Sequence, residues 1–378
     1  MLATLVTNFD NSWQGVIHQK TPTFMRGAAD ECVRGKMRMS FLRKKGRIML
    51  GASGPFCIWQ AQYKQPPVEA YGDGGQLNFQ RWDVMKQLAL NWRGYKSTDM
   101  MTEMEYLQCQ GSTGRILNRY ADIIPLHMRT ITDYFGGELI QDGEATGRTN
   151  HIHGLETFMG SGTTVSADLI AQPSDTYAGN STALANDGGS WSTALGTGYF
   201  PNAAVASDWP NGTGSYEYDW NSPKLINTSS TRWGTGSVSW EANCERAMRQ
   251  TIIWMALSGG ASGRPTICTL SGDYYAGFVN HQSVKQRVMV PHKEAQDLGF
   301  DDAVNFDGVA VGMDYDVPPN TGYMENLNNV ELMSLDKVLF GYRGPDFDPR
   351  TASWLFSVGF YGQARYRAKH FAKLYPYA

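Results

Sequence analysis

Apolar and polar residues alternate most regularly near the end of the chain. Trp354, Phe356, Val358, Phe360, Ala364 and Tyr366 fall on one face, and Ser357, Gly359, Gln363 and Arg365 on the other. Period two predicts a strand from Ser353 to Tyr366, on the order of 45 Å long at ~3.3 Å per residue. Strands usually hold about five or six residues, so this one suits a long, thin scaffold. Upstream, Val309, Val311, Met313, Tyr315 and Val317 alternate with Ala310, Gly312, Asp314 and Asp316, predicting a half-buried strand that stops at Pro318-Pro319. Asn320-Thr321-Gly322 reads as a turn and Tyr323–Leu335 as extended chain.

Before about residue 45 no period is sustained, which predicts an extended arm. From Gly46 to Tyr95 the pattern is that of a long hairpin. Cys57, Trp59, Ala61 and Tyr63 alternate with Ile58, Gln60, Gln62 and Lys64, Pro66-Pro67 through Gly74-Gly75 forms the tip, and Leu77, Phe79 and Arg81 mark the returning strand. The period then changes. Thr98 or Asp99 caps a helix through Met100, Met101, Met104 and Leu107. Gly111 and Gly114 loosen it. It resumes through Ile116, Leu117, Tyr120, Ile123, Ile124, Ile131, Tyr134 and Phe135, bends at Pro125 and ends at Gly136-Gly137. From His151 to Thr235 the composition turns to Gly, Ser, Thr, Asn and Trp, read as short strands and ordered loops. A second helix carries Cys244, Ala247, Met248, Thr251, Ile252 and Met255 on one face, with Glu245 and Arg249 paired at i,i+4 and a stop at Gly259-Gly260. Arg264–Leu270 reads as a buried strand. No internal repeat is found.

The 378 residues, 42% hydrophobic and 18% charged, describe a globular chain of two or three structural units. The longest apolar run near the middle, Ile252–Leu257, is far too short to span a bilayer. Met1-Leu2-Ala3 lacks a basic region before an apolar one, so no signal peptide is expected. Cys32, Cys57, Cys109, Cys244 and Cys268 are scattered and never in CxxC spacing, the pattern of reduced thiols in a cytoplasmic product. The sequons at Asn180, Asn211 and Asn227 then carry no weight.

Charge changes the picture more than composition does. Between Arg26 and Arg47 eight Lys or Arg residues stand against Asp30 and Glu31. Thr149–Pro223 holds no Lys or Arg and seven acids, and after Asp348 every charged residue is basic. Basic ends and an acidic middle predict two surfaces facing different environments, against the plainer reading of ordinary solvated faces.

Candidate chemistry is thin. His151 and His153 share a face if their stretch is a strand, but no third metal ligand lies at a useful spacing, and histidines bonded within loops are the expected outcome. Asp314 with Asp316, and Asp346 with Asp348, fit no calcium loop. There is no Walker loop, HExxH, GxSxG or dinucleotide fingerprint. Catalytic residues and cofactors are therefore expected to be none. Remote acid pairs and Trp-rich loops leave a carbohydrate-active or carbohydrate-binding protein as a distant alternative.

The order of parts resembles the tailed-phage major capsid proteins of the Hong Kong 97 type. Local stretches resemble that family too: Tyr177-Ala178-Gly179-Asn180-Ser181-Thr182-Ala183-Leu184, Gly263-Arg264-Pro265 before a strand, and Asn305-Phe306-Asp307-Gly308-Val309 with Asp316-Val317-Pro318. So do Asn326-Leu327 leading into Val330-Glu331-Leu332 and the closing Tyr361-Gly362-Gln363-Ala364-Arg365. The resemblance implies an α+β, Hong Kong 97-like capsid fold. Its parts would be an amino-terminal arm (1–45), an extended β-hairpin loop (46–95), a peripheral domain with a long spine helix (96–149) and long strands (319–378), and an axial domain (150–318). It implies assembly with itself into pentamers and hexamers of an icosahedral shell. Portal, scaffolding and cement proteins, and non-specifically packaged double-stranded DNA, would be the partners, with no membrane. Some members cross-link a loop lysine, for which Lys64 and Lys86 are the donors on offer, although no acceptor motif is present. An encapsulin-type nanocompartment shell shares the fold and is the nearest alternative.

Two sets of site residues follow. Arg26, Arg34, Lys36, Arg38, Arg43, Lys44, Lys45 and Arg47 are expected at the inner face, offsetting phosphate charge without reading sequence. Phe56, Ile58, Trp59, Tyr63, Phe79 and Trp82 are expected to contact a neighbouring subunit, because an isolated ribbon is marginal in water unless something covers it. The acidic middle is expected on the outward surface.

Overall fold

The computed structural model describes residues 36–77, 79–109, 113–159, 170–171, 175–184, 186–188, 216–229, 233, 235–259, 261–284 and 291–376. Helix α1 (Met37–Lys44) and strand β1 (Ile48–Met49) precede the hairpin strands β2 (Cys57–Gln62) and β3 (Met85–Leu90). Strand β4 (Arg93–Thr102) leads into helices α2 (Glu103–Cys109) and α3 (Thr113–Glu138). Three two-residue strands follow, β5 (Ile170–Ala171), β6 (Thr176–Tyr177) and β7 (Asn180–Ser181), then β8 (Lys224–Asn227), α4 (Trp240–Gly259), β9 (Ile267–Leu270) and α5 (Gly272–Val284). The chain closes through β10 (Val304–Phe306), β11 (Val309–Met313), β12 (Gly322–Glu325), β13 (Val330–Ser334), β14 (Gly341–Asp348), β15 (Ser353–Tyr366) and β16 (Phe371–Tyr375).

Strand β15 has the bounds its alternation predicts, and one sheet is built around it. β4 covers one edge from Ser353 to Gly362, while β14 and then β13 share the other. Its Trp354/Phe356/Phe360 face is roofed by helices. Ile124, Met128, Ile131 and Phe135 recur at helical spacing along α3 and are buried. The Phe135 and Phe360 rings lie 4.6 Å apart, and His127 meets Phe356 at 6.1 Å.

The second sheet, in the order β10-β11-β9-β12-β16-β8-β5, draws on strands from Ile170 to Tyr375. β12 and β16 sit among strands from the 150–318 segment, so residues 319–378 are divided between the two sheets. Helix α4 packs on this sheet through the predicted face, with Cys244, Ala247, Met248, Thr251, Ile252 and Met255 all buried. Arg249 Nη2 donates to Glu245 Oε1 at 3.1 Å, the expected i,i+4 pair.

Four expectations are corrected. The end of the predicted arm is a helix: α1 buries Met37 through Leu42, so it shows no amphipathic period, yet its Met, Leu, Arg and Lys favour a helix. The helix predicted from Thr98 begins at Glu103, because residues 98–102 complete β4 as the partner of β15. Its start is a reciprocal cap, in which Glu105 N–H donates to Thr102 Oγ1 (3.3 Å) and Thr102 N–H to Glu105 Oε2 (3.2 Å). Helix α3 continues through Gly136-Gly137 to Glu138; a Cβ on Gly136 would lie 2.2 Å from Asp316 Oδ2, so this glycine serves a close approach and not a stop. Val309–Gly312 is buried on both faces, because Val309 and Val311 face one apolar cluster while Ala310 joins the other and Gly312 packs beneath Met37 of α1.

Candidate assembly surfaces

The hairpin divides into two halves. β2 and β3 are antiparallel with Trp59 opposite Leu88 and Cys57 opposite Leu90, and these four side chains form a buried face. That face packs on the chain's own body. Trp59 meets the Tyr177 ring at 5.9 Å, Cys57 Sγ lies 3.5 Å from Met333 Sδ, and Tyr63 meets Trp220 edge-on at 6.4 Å. Lys64 pairs with Glu217 (3.0 Å) and Lys86 with Asp187. Trp59 is therefore corrected, being covered within the subunit, while Tyr63 is half-buried there against Trp220. Lys64 and Lys86 are likewise already engaged.

Beyond Lys64 the outer half has a different character. Residues 66–77 and 79–84 form no strand, so the predicted return through Leu77, Phe79 and Arg81 is irregular, and pairing resumes only at Met85. Val68 is 97% exposed and Phe79 89%, with Tyr71 and Trp82 also in solvent. Phe56 and Ile58, on the outward side of the base, are exposed as well. Large apolar side chains so exposed make this half a candidate contact surface.

The basic set divides too. Arg26 and Arg34 lie outside the described residues. Arg38 is buried: its Nε donates to both Glu325 oxygens at 3.0 Å, and Thr269 adds a contact at 3.4 Å. Lys36 is held by Asp316 at 2.9 Å and Asp133 at 3.6 Å. These two are corrected from the phosphate-facing set, since a cation enclosed with its carboxylate has no charge to spare. Arg43 and Lys44 are exposed, and Lys45 and Arg47 half-buried, on or just after α1. Lys44 reaches Glu294 and Asp297 at 3.8–3.9 Å, Lys45 reaches Glu294 at 4.0 Å and Arg47 reaches Glu331 at 3.5 Å, the loose geometry of surface pairs.

Four of the five acids described in the lysine-free middle are tied within the subunit. Glu156 takes Tyr323 and Lys373, Asp187 takes Lys86 and Trp220, Glu217 takes Lys64 and Asp219 takes Lys224. These form a row of internal ties, and their lysines come from outside the Thr149–Pro223 segment.

His151 and His153 do not converge. His151 Nδ1 lies 2.8 Å from Glu138 Oε2, a carboxylate that also accepts from Arg148 (2.7 Å) and from the Tyr95 hydroxyl (2.8 Å). Burial opposes the Glu138 charge, but these donors together hold its carboxyl below the usual range. Among the described residues no three His, Cys, Asp or Glu side chains group as metal ligands. The Glu138 cluster and the Arg38–Glu325 pair escaped the sequence reading, because their partners lie on different elements and no spacing signals them.

No family model matches the sequence, and no curated protein matches it. Solved structures do resemble the fold. The cyanophage A-1(L) capsid asymmetric unit aligns over 86% of this chain and 89% of its own, with a TM-score of 0.51 at 15% identity. The capsid of a native GTA particle aligns over 89% of both chains (TM-score 0.49, 9% identity), and that of cyanophage P-SCSP1u over 87% and 85% (TM-score 0.48, 8% identity). The chain has the α+β, Hong Kong 97-like capsid fold. No helix of the described residues is long and apolar enough to cross a membrane.

Proposed function

We propose that this chain is the major shell subunit of a tailed bacteriophage, assembling through pentamers and hexamers into an icosahedral head around double-stranded DNA. One combination carries the reading. A capsid fold runs along most of the chain, and its hairpin is anchored at the base while Val68, Tyr71 and Phe79 project into solvent. Burying a large apolar side chain is worth about 1.5–3 kcal/mol, so a few such contacts repeated over a shell add up to a strong assembly force. The mechanism is association, without catalysis.

In this reading residues 1–45, 46–95, 96–149 with 319–378, and 150–318 act as arm, loop, peripheral and axial parts, with the strands of 319–378 also bracing the axial sheet. Phe56, Ile58, Phe79 and Trp82 meet a neighbouring subunit. Arg43, Lys44, Lys45 and Arg47, with Arg26 and Arg34, lie toward packaged DNA and meet its phosphates non-specifically. Portal, scaffolding and cement proteins are the further partners, and the virion is the final location.

Purification of particles from cells making the whole chain tests the reading. Closed shells are expected. DNA filled through a portal supports the phage role, an enclosed enzyme turns the reading to a nanocompartment, and a subunit that never associates removes both.

A further inference from the structure

An open cleft of about 500 Å³ lies at the base of the hairpin, its lining including Phe56, Leu90, Arg93, Glu144, His153 and Ala178. Its size is that of a site for a side chain or small ligand. Two buried nitrogens on its lining residues, Arg93 Nε and His153 Nδ1, have no hydrogen-bond partner among the described residues. His153 is only 6% exposed and is held in place, its backbone N–H donating to Gln363 Oε1 at 2.9 Å and its ring meeting Tyr177 at 6.4 Å. Glu144 Oε1 stands 3.6 Å from His153 Nδ1, outside hydrogen-bond reach. Arg93 forms no ion pair among the described residues, and its charge is felt by the His153 ring. A guanidinium with an unused buried donor is poorly stable unless an acceptor, best an anion, completes it. Beside the cleft, β3 has β2 as its sole bonded neighbour among the described residues, which leaves one strand edge open to an incoming segment.

We propose that this cleft is a carboxylate-binding site, filled in the assembled shell by an acidic side chain from the outer hairpin of a second copy of the chain. The proposal rests on the shell reading above. Arg93 supplies the charged donor, His153 in its Nδ1–H tautomer a second one, and Phe56, Leu90 and Ala178 the apolar walls. The outer hairpin offers the matching chemistry. Asp73 and Asp83 are exposed there, among the equally exposed Val68, Tyr71 and Phe79, which need cover. The chain between Gln62 and Met85 can extend by up to roughly 35 Å from the ribbon, far enough to leave its own subunit.

The test is charge reversal read by particle yield and by binding of free glutarate to the unassembled subunit. Arg93→Glu is expected to lower particle yield about tenfold or more, since like charges facing each other cost several kcal/mol. Yield is compared at equal amounts of folded subunit, and adding Asp73→Arg or Asp83→Arg should restore assembly. Arg93→Gln gives a milder loss in the same direction and serves if Arg93→Glu fails to fold. Wild-type yield from both Arg93 variants overturns the proposal. Loss that neither reversal restores, with glutarate protecting the wild-type subunit and not Arg93→Gln, overturns the second-copy source and leaves a site for a free carboxylate. If the wild-type chain forms no particles, the shell reading fails, and glutarate protection alone then decides whether the cleft binds a carboxylate.

Discussion

Arg38 and Glu325, 287 positions apart, face each other inside the subunit with the guanidinium Nε 3.0 Å from each carboxylate oxygen. The pair fastens the helix before the hairpin to the sheet formed by the chain's far end. Because both groups are almost wholly enclosed, removing one strands the other. Arg38→Met alone or Glu325→Leu alone is expected to cost about 3–5 kcal/mol, and the double variant much less than their sum. Denaturant unfolding of the free subunit checks this, and strict additivity would deny the coupling.

In the proposed shell, the two halves of the hairpin are expected to separate stability from assembly. Trp59→Ala removes a side chain packed on Tyr177 and should destabilise the free subunit by about 3–5 kcal/mol. Phe79→Ala touches a side chain that is 89% exposed, so subunit stability should stay within about 0.5 kcal/mol. Its effect should appear as a lower midpoint for heat or denaturant disassembly of particles. Equal effects of the two changes on the free subunit would contradict the division.

Gly362, where β13, β15 and β4 meet, has no room for a methyl group. A Cβ there would lie 2.0 Å from the Met333 carbonyl oxygen and 2.5 Å from Phe360 Cζ. Backbone cannot yield as a flexible side chain does, so Gly362→Ala should cost about 1–3 kcal/mol or more. A thermal midpoint equal to the wild type's would show that the strands have slack at this point.

How far the sequence reveals this structure depends on whether a signal is local. Strand β15 was legible because one face is buried along its whole length, from Phe356 to Tyr366. Helix α4 was legible from its 3.6-residue stripe. Helix α1 was not, since burial on all sides erases periodicity. The first residues of the predicted 98–109 helix became β4 because the edge of β15, more than 250 positions away, requires a partner. At the surfaces, the hairpin's aromatics were visible but not their division into anchored Trp59 and free Phe79. Nor does any spacing reveal that Arg38 is spent on Glu325, or that Arg93 and His153 share a cleft.

Acid should weaken the subunit through its enclosed histidines. Burial, and then the Arg93 charge, depresses His153 to about 4, with Asp142 pulling the other way; burial and the charges of Lys369, Lys224 and Arg367 depress His370 to about 3. With the folded values below the ordinary one, the unfolded chain binds the extra protons, so stability held above pH ~6.5 falls as pH drops toward 4. For His153 the loss amounts to roughly 3 kcal/mol. Unfolding midpoints from pH 7 to pH 4 should show the slope, and His153→Gln should flatten part of it. An unchanged profile in that variant would place the acid sensitivity elsewhere.

Electron microscopy of particles purified from cells expressing the full chain tests the central claim most directly. The account predicts closed icosahedral shells of pentamers and hexamers, with Val68 and Phe79 of each hairpin buried against an adjacent subunit. A chain that stays monomeric at high concentration, or shells in which those side chains remain in solvent, would contradict it.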